Sequence, residues 1–246
     1  MSTSAPVPTQ PRPKRERPVI AIDGPAGAGK STMAAHLARR FGFLNLETGA
    51  MYRALALKAI ENDLGFDDED ALMDIASRTK IRLEPQMEGN RVLLDGQDIS
   101  RRVRDSDVTA AASQVSVHPR LRAWMVEQQR LLGERGGVVM EGRDIGTVVF
   151  PDAEVKIFLD AAPEVRGNRR YRQTLPGEAA PAKVTEDSIV KELKERDARD
   201  RNRTDSPLRP AADAVILDST AMTLDEVLTA AELVVRKHVE ERRLHY

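Results

Sequence analysis

The chain of 246 residues suits one domain, with room for an insertion and a sizeable core. A net charge of −1 gives no overall field for a nucleic acid or an anionic membrane. The absence of cysteine excludes disulfides, thiol nucleophiles and thiolate metal sites. His36, His118, His238 and His245 are scattered without ligand spacing, and no apolar run approaches a membrane span. The N-terminus has basic residues but lacks the apolar stretch of a secretory signal, so a soluble, cytoplasmic protein is expected.

Residues 1–17 are rich in Pro, Ser, Thr and charge and bury too little to offset ordering entropy, so disorder is expected there. A basic nucleic-acid arm is the alternative, but Arg12, Lys14, Arg15 and Arg17 are few and proline-interrupted. The folded domain is expected over 18–246, beginning at Pro18. Val19-Ile20-Ala21-Ile22 reads as a buried strand, and Met33, Leu37 and Phe41 recur at helical spacing from Ser31.

Between them Gly24-Pro25-Ala26-Gly27-Ala28-Gly29-Lys30-Ser31, followed by Thr32, matches G-x-x-x-x-G-K-[ST] at every fixed position. Glycines let backbone N–H groups curl inward onto phosphate oxygens, and the helix N-terminus adds partial positive charge. Lys30 is expected to reach the β/γ-phosphates of a nucleoside triphosphate and the Ser31 hydroxyl to ligate Mg²⁺. A chance glycine-rich turn would not bring strand, full motif and helix together.

Phe43 to Leu46 reads as a second strand, leading through Glu47-Thr48-Gly49-Ala50-Met51-Tyr52-Arg53 into a helix ending near Asn62. Residues just past strand carboxyl ends face the ligand crevice of a doubly wound sheet, which places Thr48 and Arg53 beside the nucleotide; a solvated helix position is the plainer reading of Arg53. Over 64–104 the pattern changes. A helix from Asp68 to Arg78 is followed by Lys80–Glu84 and Arg91–Asp95, paired as a hairpin about Glu88-Gly89-Asn90. Antiparallel pairing amid parallel signals predicts an inserted subdomain, whose side chains demand no chemistry of their own.

Val108 to Leu132 should be helical on both sides of Pro119 and carries Ser113, Arg120 and Arg122. Val138–Met140, Val155–Asp160 and Ala214–Asp218 complete five strands, and Glu226–Glu241 closes with an amphipathic helix. The fold expected is α/β, a five-stranded parallel sheet covered by helices on both faces. Arg166, Arg169, Arg170 and Arg172, with the Pro176-Gly177 link, fall in a segment of about 162–180 between the fourth and fifth strands. A helix from about Thr185 then puts Ile189, Leu193, Arg196, Asp200 and Arg203 on one face. An apolar stripe that continues into two arginines and an aspartate needs partners: an anionic ligand, or an internal Arg–Asp network.

A GTPase switch would need D-x-x-G and N-K-x-D, which are not in place. Asp160 and Asp218 loosely fit the acid of a motor-type ATPase. The surplus of arginine favours a phosphoryl acceptor that is itself an anion. At this point Gly24–Lys30, Thr48–Arg53, Ala111–Val115, Glu141-Gly142-Arg143-Asp144-Ile145-Gly146-Thr147-Val148-Val149-Phe150-Pro151 and Arg196–Arg203 resemble the bacterial cytidylate kinases, from about Pro18 to the last helix. The last two blocks are the specific ones.

The resemblance implies a nucleoside monophosphate kinase fold and ATP-dependent phosphorylation of CMP and dCMP with Mg²⁺. It implies the catalytic residues Lys30, Arg143, Arg196 and Arg203. Arg53 and Arg143 would hold the acceptor phosphate. Thr48, Arg122, Asp144 and Arg203 would line the cytosine pocket, and Ser113, Arg196 and Asp200 would reach the sugar. Residues 64–104 correspond to the acceptor-binding insert, and the segment of about 162–180 to a lid whose arginines meet ATP on closure. Thr48 stands where many relatives carry serine and adds a methyl group. A kinase for UMP or a non-nucleotide acceptor, and a nucleotide-binding module without turnover, are the other readings. A monomer is expected, with no nucleic-acid or membrane partner.

Overall fold

The computed structural model describes residues 15–86, 89–174 and 185–243. Strand β1 (Val19–Asp23) is buried along its whole length and lies at the centre of a parallel sheet. On one side it pairs with β6 (Val138–Gly142), which in turn pairs with the edge strand β2 (Leu44–Glu47). On the other it pairs with β7 (Val155–Asp160), followed by β8 (Val215–Asp218). The order β2-β6-β1-β7-β8 sends the chain outward from β1 in both directions, so a crevice opens at the strand carboxyl ends beside β1.

The alternation of side chains along β1 builds two cores. Ile20 and Ile22 pack with Met33 and Leu37 of α1 (Lys30–Phe41) and Val227, Ala231 and Val235 of α8 (Leu224–Arg243). Val19 and Ala21 face α2 (Gly49–Glu61), α3 (Glu69–Arg78), α4 (Ser106–Val115) and α5 (Pro119–Gly133). Pro119 opens α5, where its missing N–H is harmless, so the expected break falls between two helices. β8 is the exception to a sheet covered on both faces: it is an edge strand, and Ile216 is 60% exposed.

The insert contains β3 (Ile81–Gln86), β4 (Gly89–Leu94) and a short third strand, β5 (Gln97–Asp98), that periodicity did not predict. Gln86 pairs with Gly89, so Gly89 and Asn90 belong to β4 rather than to the turn, and Glu88 lies outside the described residues. Asn90 explains its own placement. Its Nδ2 donates to the Asn45 carbonyl (2.7 Å) and its Oδ1 accepts from the Glu47 N–H (2.8 Å). One buried amide therefore satisfies the open edge of β2 and fastens the insert to the sheet.

The expected start of the fold at Pro18 moves to Arg15. Arg15 pairs with Asp152 (2.8 Å) and Glu154, while the Arg17 guanidinium lies over the Phe43 ring and donates to the Gly42 carbonyl (2.7 Å). These two side chains gain fixed partners that composition could not anticipate. The rest of the expected tail, including Arg12 and Lys14, lies outside the described residues, as does His245.

Candidate functional site: two cavities joined by arginines

The loop after β1 is shaped by close approach. Gly24 (φ +148°) lies so near β7 that an added Cβ would stand 2.0 Å from the Leu159 carbonyl oxygen. Gly29 (φ +102°) turns the chain into α1 in the left-handed region that glycine tolerates. Ala26, Gly27, Ala28, Gly29, Lys30, Ser31 and Thr32 line a cavity at the N-terminus of α1. Two of the residues expected to touch the donor do not reach that wall. Gly24 packs on Leu159, and Pro25 instead offers its carbonyl to Lys30 Nζ (2.7 Å). Burial, reinforced by the nearby Arg143, pushes the Lys30 ammonium down to about 7.

The cavity continues where sequence reasoning had placed nothing. Leu159, one residue before the end of β7, and Met222, Leu224, Val227 and Leu228, which follow β8, give an apolar wall beside the phosphate loop, with Ser219 at the strand end. Its signal was available: these residues lie at or just past strand carboxyl ends on the crevice side.

A second cavity lies between α2, α4, α5, the end of β6 and α7 (Glu186–Asn202). Thr48, Arg53, Ser113, Arg122, Arg143, Asp144, Arg196, Asp200 and Arg203 all line it, together with Tyr52 and Ser116. Residues as far apart in sequence as Thr48 and Arg203 are thus brought together, as expected. At its floor Arg122 and Asp144 form a buried ion pair, with Arg122 also donating to the Ser116 carbonyl (3.0 Å) and lying over the Tyr52 ring. The Thr48 hydroxyl donates to the Glu141 carbonyl (2.7 Å), which ties α2 to β6.

Asp144 is held from behind. A five-residue π-helical turn, Ile145–Val149, follows it, and the Asp23 carboxylate accepts from the Ile145 N–H (2.8 Å) and Gly146 N–H (2.7 Å). Arg130 secures the other end of the turn by donating to the Val148 (2.8 Å) and Val149 (3.1 Å) carbonyls. The end of β1 therefore fixes the loop carrying Arg143 and Asp144, at a cost: burial raises the Asp23 carboxyl to about 6 despite those amides.

On the opposite wall Arg143 Nε donates to Asp200 Oδ2 (2.8 Å), and Arg203 lies 3.7 Å from Asp200 Oδ1. Burial pushes the Asp200 carboxyl up, but Arg143, Arg196 and Arg203 together hold it below its ordinary value. Arg196 is lowered to about 10, by burial and then by Arg143. Four guanidinium nitrogens around this cavity, Arg53 Nε, Arg122 Nε, Arg196 Nε and Arg203 Nη2, are buried without a hydrogen-bond partner among the described residues. Each such donor costs about 1–3 kcal/mol unless something fills the cavity and accepts from it. The arginine-bearing helix face is thus both an internal network and an incomplete one.

Arg53, Arg143 and Arg196 line both cavities. A ligand in one and a ligand in the other would meet across these three side chains. Glu47 also faces the first cavity and pairs with Arg53.

The proposed lid arginines divide. Arg166 is 2% exposed and donates to the Ala161 (2.8 Å) and Ala26 (2.8 Å) carbonyls and to Asp197 (2.5 Å), so it is a structural strut under the phosphate loop. It belongs to α6 (Pro163–Thr174), which packs along α7. Arg169 faces the first cavity, anchored to Ser219 Oγ (3.1 Å) and its carbonyl (2.8 Å), and Arg170 lines the same wall. Arg172 faces a separate shallow groove. Pro176, Gly177 and the rest of 175–184 lie outside the described residues. Ser113 Oγ accepts from Arg199 Nε (3.2 Å), a helix residue that face analysis had not selected.

Comparison with known proteins gives the family of the chain. A family model described as cytidylate kinase matches residues 20–237. The chain is 47% identical over 230 residues to a cytidylate kinase of Solibacter usitatus (strain Ellin6076), covering 94% of this chain and 97% of that relative. It is 50% identical over 212 residues to a cytidylate kinase of Pelotomaculum thermopropionicum (strain DSM 13744 / JCM 10971 / SI), covering 86% and 92%. Among solved structures, a gluconokinase from Sinorhizobium meliloti 1021 aligns at 15% identity with a TM-score of 0.48, covering 94% of this chain and 99% of that one.

Proposed function

This chain belongs to the cytidylate kinase family, and from that premise we propose how its residues divide the transfer of a phosphoryl group from ATP to CMP or dCMP. The observation that carries the reading is the trio Arg53, Arg143 and Arg196 shared by two cavities, one floored by the phosphate loop and one by the Arg122–Asp144 pair. ATP occupies the first, with its phosphates on the loop amides and Lys30 and its base against the wall of Met222, Leu224 and Val227. The acceptor occupies the second. Its phosphate takes the unpartnered donors of Arg53 and Arg196, and its cytosine amine meets Asp144, which accepts from N4 and repels a uracil carbonyl. Arg203 and Arg122 line the base, and Ser113 and Asp200 reach the sugar.

Ser31 and Glu47 both line the donor cavity, and a hydroxyl and a carboxylate on one cavity wall offer the oxygen donors that suit Mg²⁺. Bound there, the ion would neutralise charge on the β- and γ-phosphates. Burial and the neighbouring Glu47 raise the Glu141 carboxyl, so added positive charge beside them is favourable. A monomer is the simplest assembly, because one chain completes both cavities. No helix among the described residues is long and apolar enough to cross a membrane, and the reading places the enzyme in the cytoplasm.

A coupled ADP-release assay with ATP, Mg²⁺ and CMP, dCMP, UMP or AMP tests the assignment. Turnover is expected on CMP and dCMP, with little on UMP and AMP. ATP binding without acceptor-dependent ADP would leave a nucleotide-binding module in place of a kinase.

Lys30 supplies a second test. In the free protein its ammonium titrates near 7, below the ordinary 10.5, and phosphate charge should return it toward that value. At pH 8 ATP binding should therefore take up close to one proton, and at pH 6 none. Titration calorimetry in buffers of different ionisation enthalpy reads this directly; no buffer dependence at pH 8 would mean that Lys30 is already charged. The same shift makes the free protein gain stability as pH rises from about 7 toward 10.5, where only the unfolded chain holds the proton.

A further inference from the structure

Arg104 is a part of the insert that neither the sequence motifs nor the roles above assign. It ends a short 3₁₀ turn, Arg102–Arg104, whose middle residue Val103 is buried in the core and whose backbone is tied by Val103 N–H to the Ile99 carbonyl (3.0 Å). The base of the Arg104 side chain is therefore held by the core rather than carried on a loose loop. Its neighbour Arg102 is occupied by Asp105 (3.0 Å) and Asp107 (2.6 Å). The Arg104 N–H donates to the Arg101 carbonyl (3.1 Å), but its guanidinium has no hydrogen-bond or ion-pair partner among the described residues and lies beside the Gly89 backbone, where an added Cβ would stand 3.6 Å from Nη2.

Arg104 nevertheless lines the donor cavity, as do Lys30, Arg53, Arg143 and Arg196. Among the described residues that wall carries Lys30 and six arginines, Arg104 among them, against one carboxylate, that of Glu47. Arg104 is exposed, so water solvates it in the empty protein, and the surplus of positive charge on this wall attracts an anion entering the cavity. Arg53 is neutralised in part by Glu47, Arg143 by Asp200 and Arg169 is anchored to Ser219, whereas no described residue takes the guanidinium donors of Arg104.

On the two-cavity reading above, we propose that Arg104 is a further catalytic residue, which contacts the γ-phosphoryl oxygens of ATP during transfer. It comes from the acceptor-side insert, yet faces the donor. The insert thus contributes charge to the transition state, and Asn90, which fastens that insert to β2, holds the arginine within reach.

The test compares the full-length wild type with Arg104→Gln and Arg104→Lys under saturating ATP, Mg²⁺ and varied CMP. Losing one donor aimed at developing charge typically lowers turnover by about 10²-fold. Arg104→Gln is expected to lower kcat by that order, with the KM for CMP moved less than about threefold and an unchanged melting temperature, since no partner is lost; Arg104→Lys should recover part of the loss. A kcat within twofold of wild type, a loss confined to the KM for CMP, or a fall in melting temperature would each overturn the assignment. A wild type without CMP-dependent ADP formation would instead refute the kinase reading itself, so the two failures are distinct.

Discussion

Asp144→Asn is expected to lower kcat/KM for CMP by about 10³-fold or more and to move the preference toward UMP. Arg122 holds one oxygen of Asp144 from behind, as a donor that only an oxygen can satisfy. In the asparagine variant the amide oxygen keeps that bond, so its NH₂ turns to the base. It would then face the cytosine amine donor to donor, but would suit the uracil carbonyl. The alternative substitution to alanine is less informative, because it removes the acceptor as well as the counter-charge from the Arg122 guanidinium, which is 3% exposed. Removing one partner of a buried pair typically costs about 3–5 kcal/mol, so folding and activity would fall together. Asparagine retains an acceptor and separates the two effects. Parallel CMP and UMP kinetics, with melting curves to confirm folding, read the outcome; an unchanged CMP-to-UMP ratio would show that Asp144 does not read the base.

Arg143→Gln should lower the rate of phosphoryl transfer by about 10³-fold or more while both nucleotides still bind. Arg143 lines both cavities and, on the two-cavity reading proposed above, would spread charge as the group crosses. It also tunes its neighbours. Its charge contributes to the depression of the Lys30 ammonium, and it is the foremost of the cations that hold the Asp200 carboxyl down. In the variant the Lys30 pKa should therefore rise, and the proton uptake on ATP binding at pH 8 should shrink. Single-turnover measurements separate the chemical step from binding. Full transfer rates in Arg143→Gln would place the crossing point elsewhere.

Local chemistry made much of this protein legible before any coordinates. The phosphate loop is a contiguous string whose backbone geometry follows from its own glycines, and β1 and α1 are marked by their own periodicity. The heptad-like stepping of Ile189, Leu193, Arg196, Asp200 and Arg203 along one helix identified a charged face because neighbours on a helix face are set by the chain itself. Arg196 and Arg203 share one cavity wall for the same reason.

What only the tertiary structure decided is which of several equivalent-looking groups meets which partner. Arg166 and Arg170 are alike in sequence, yet one is sealed between Ala26 and Asp197 and the other faces the donor cavity. Arg102 and Arg104 differ only in that two aspartates reach the first. Asn90 and Asp23 are unremarkable as letters and become a strand cap and a loop brace through contacts 43 and more residues away. Periodicity and motif record interactions between residues near in sequence. Burial, ion pairing and shared cavity walls depend on chain segments that only folding brings together, so those assignments had to wait for the fold.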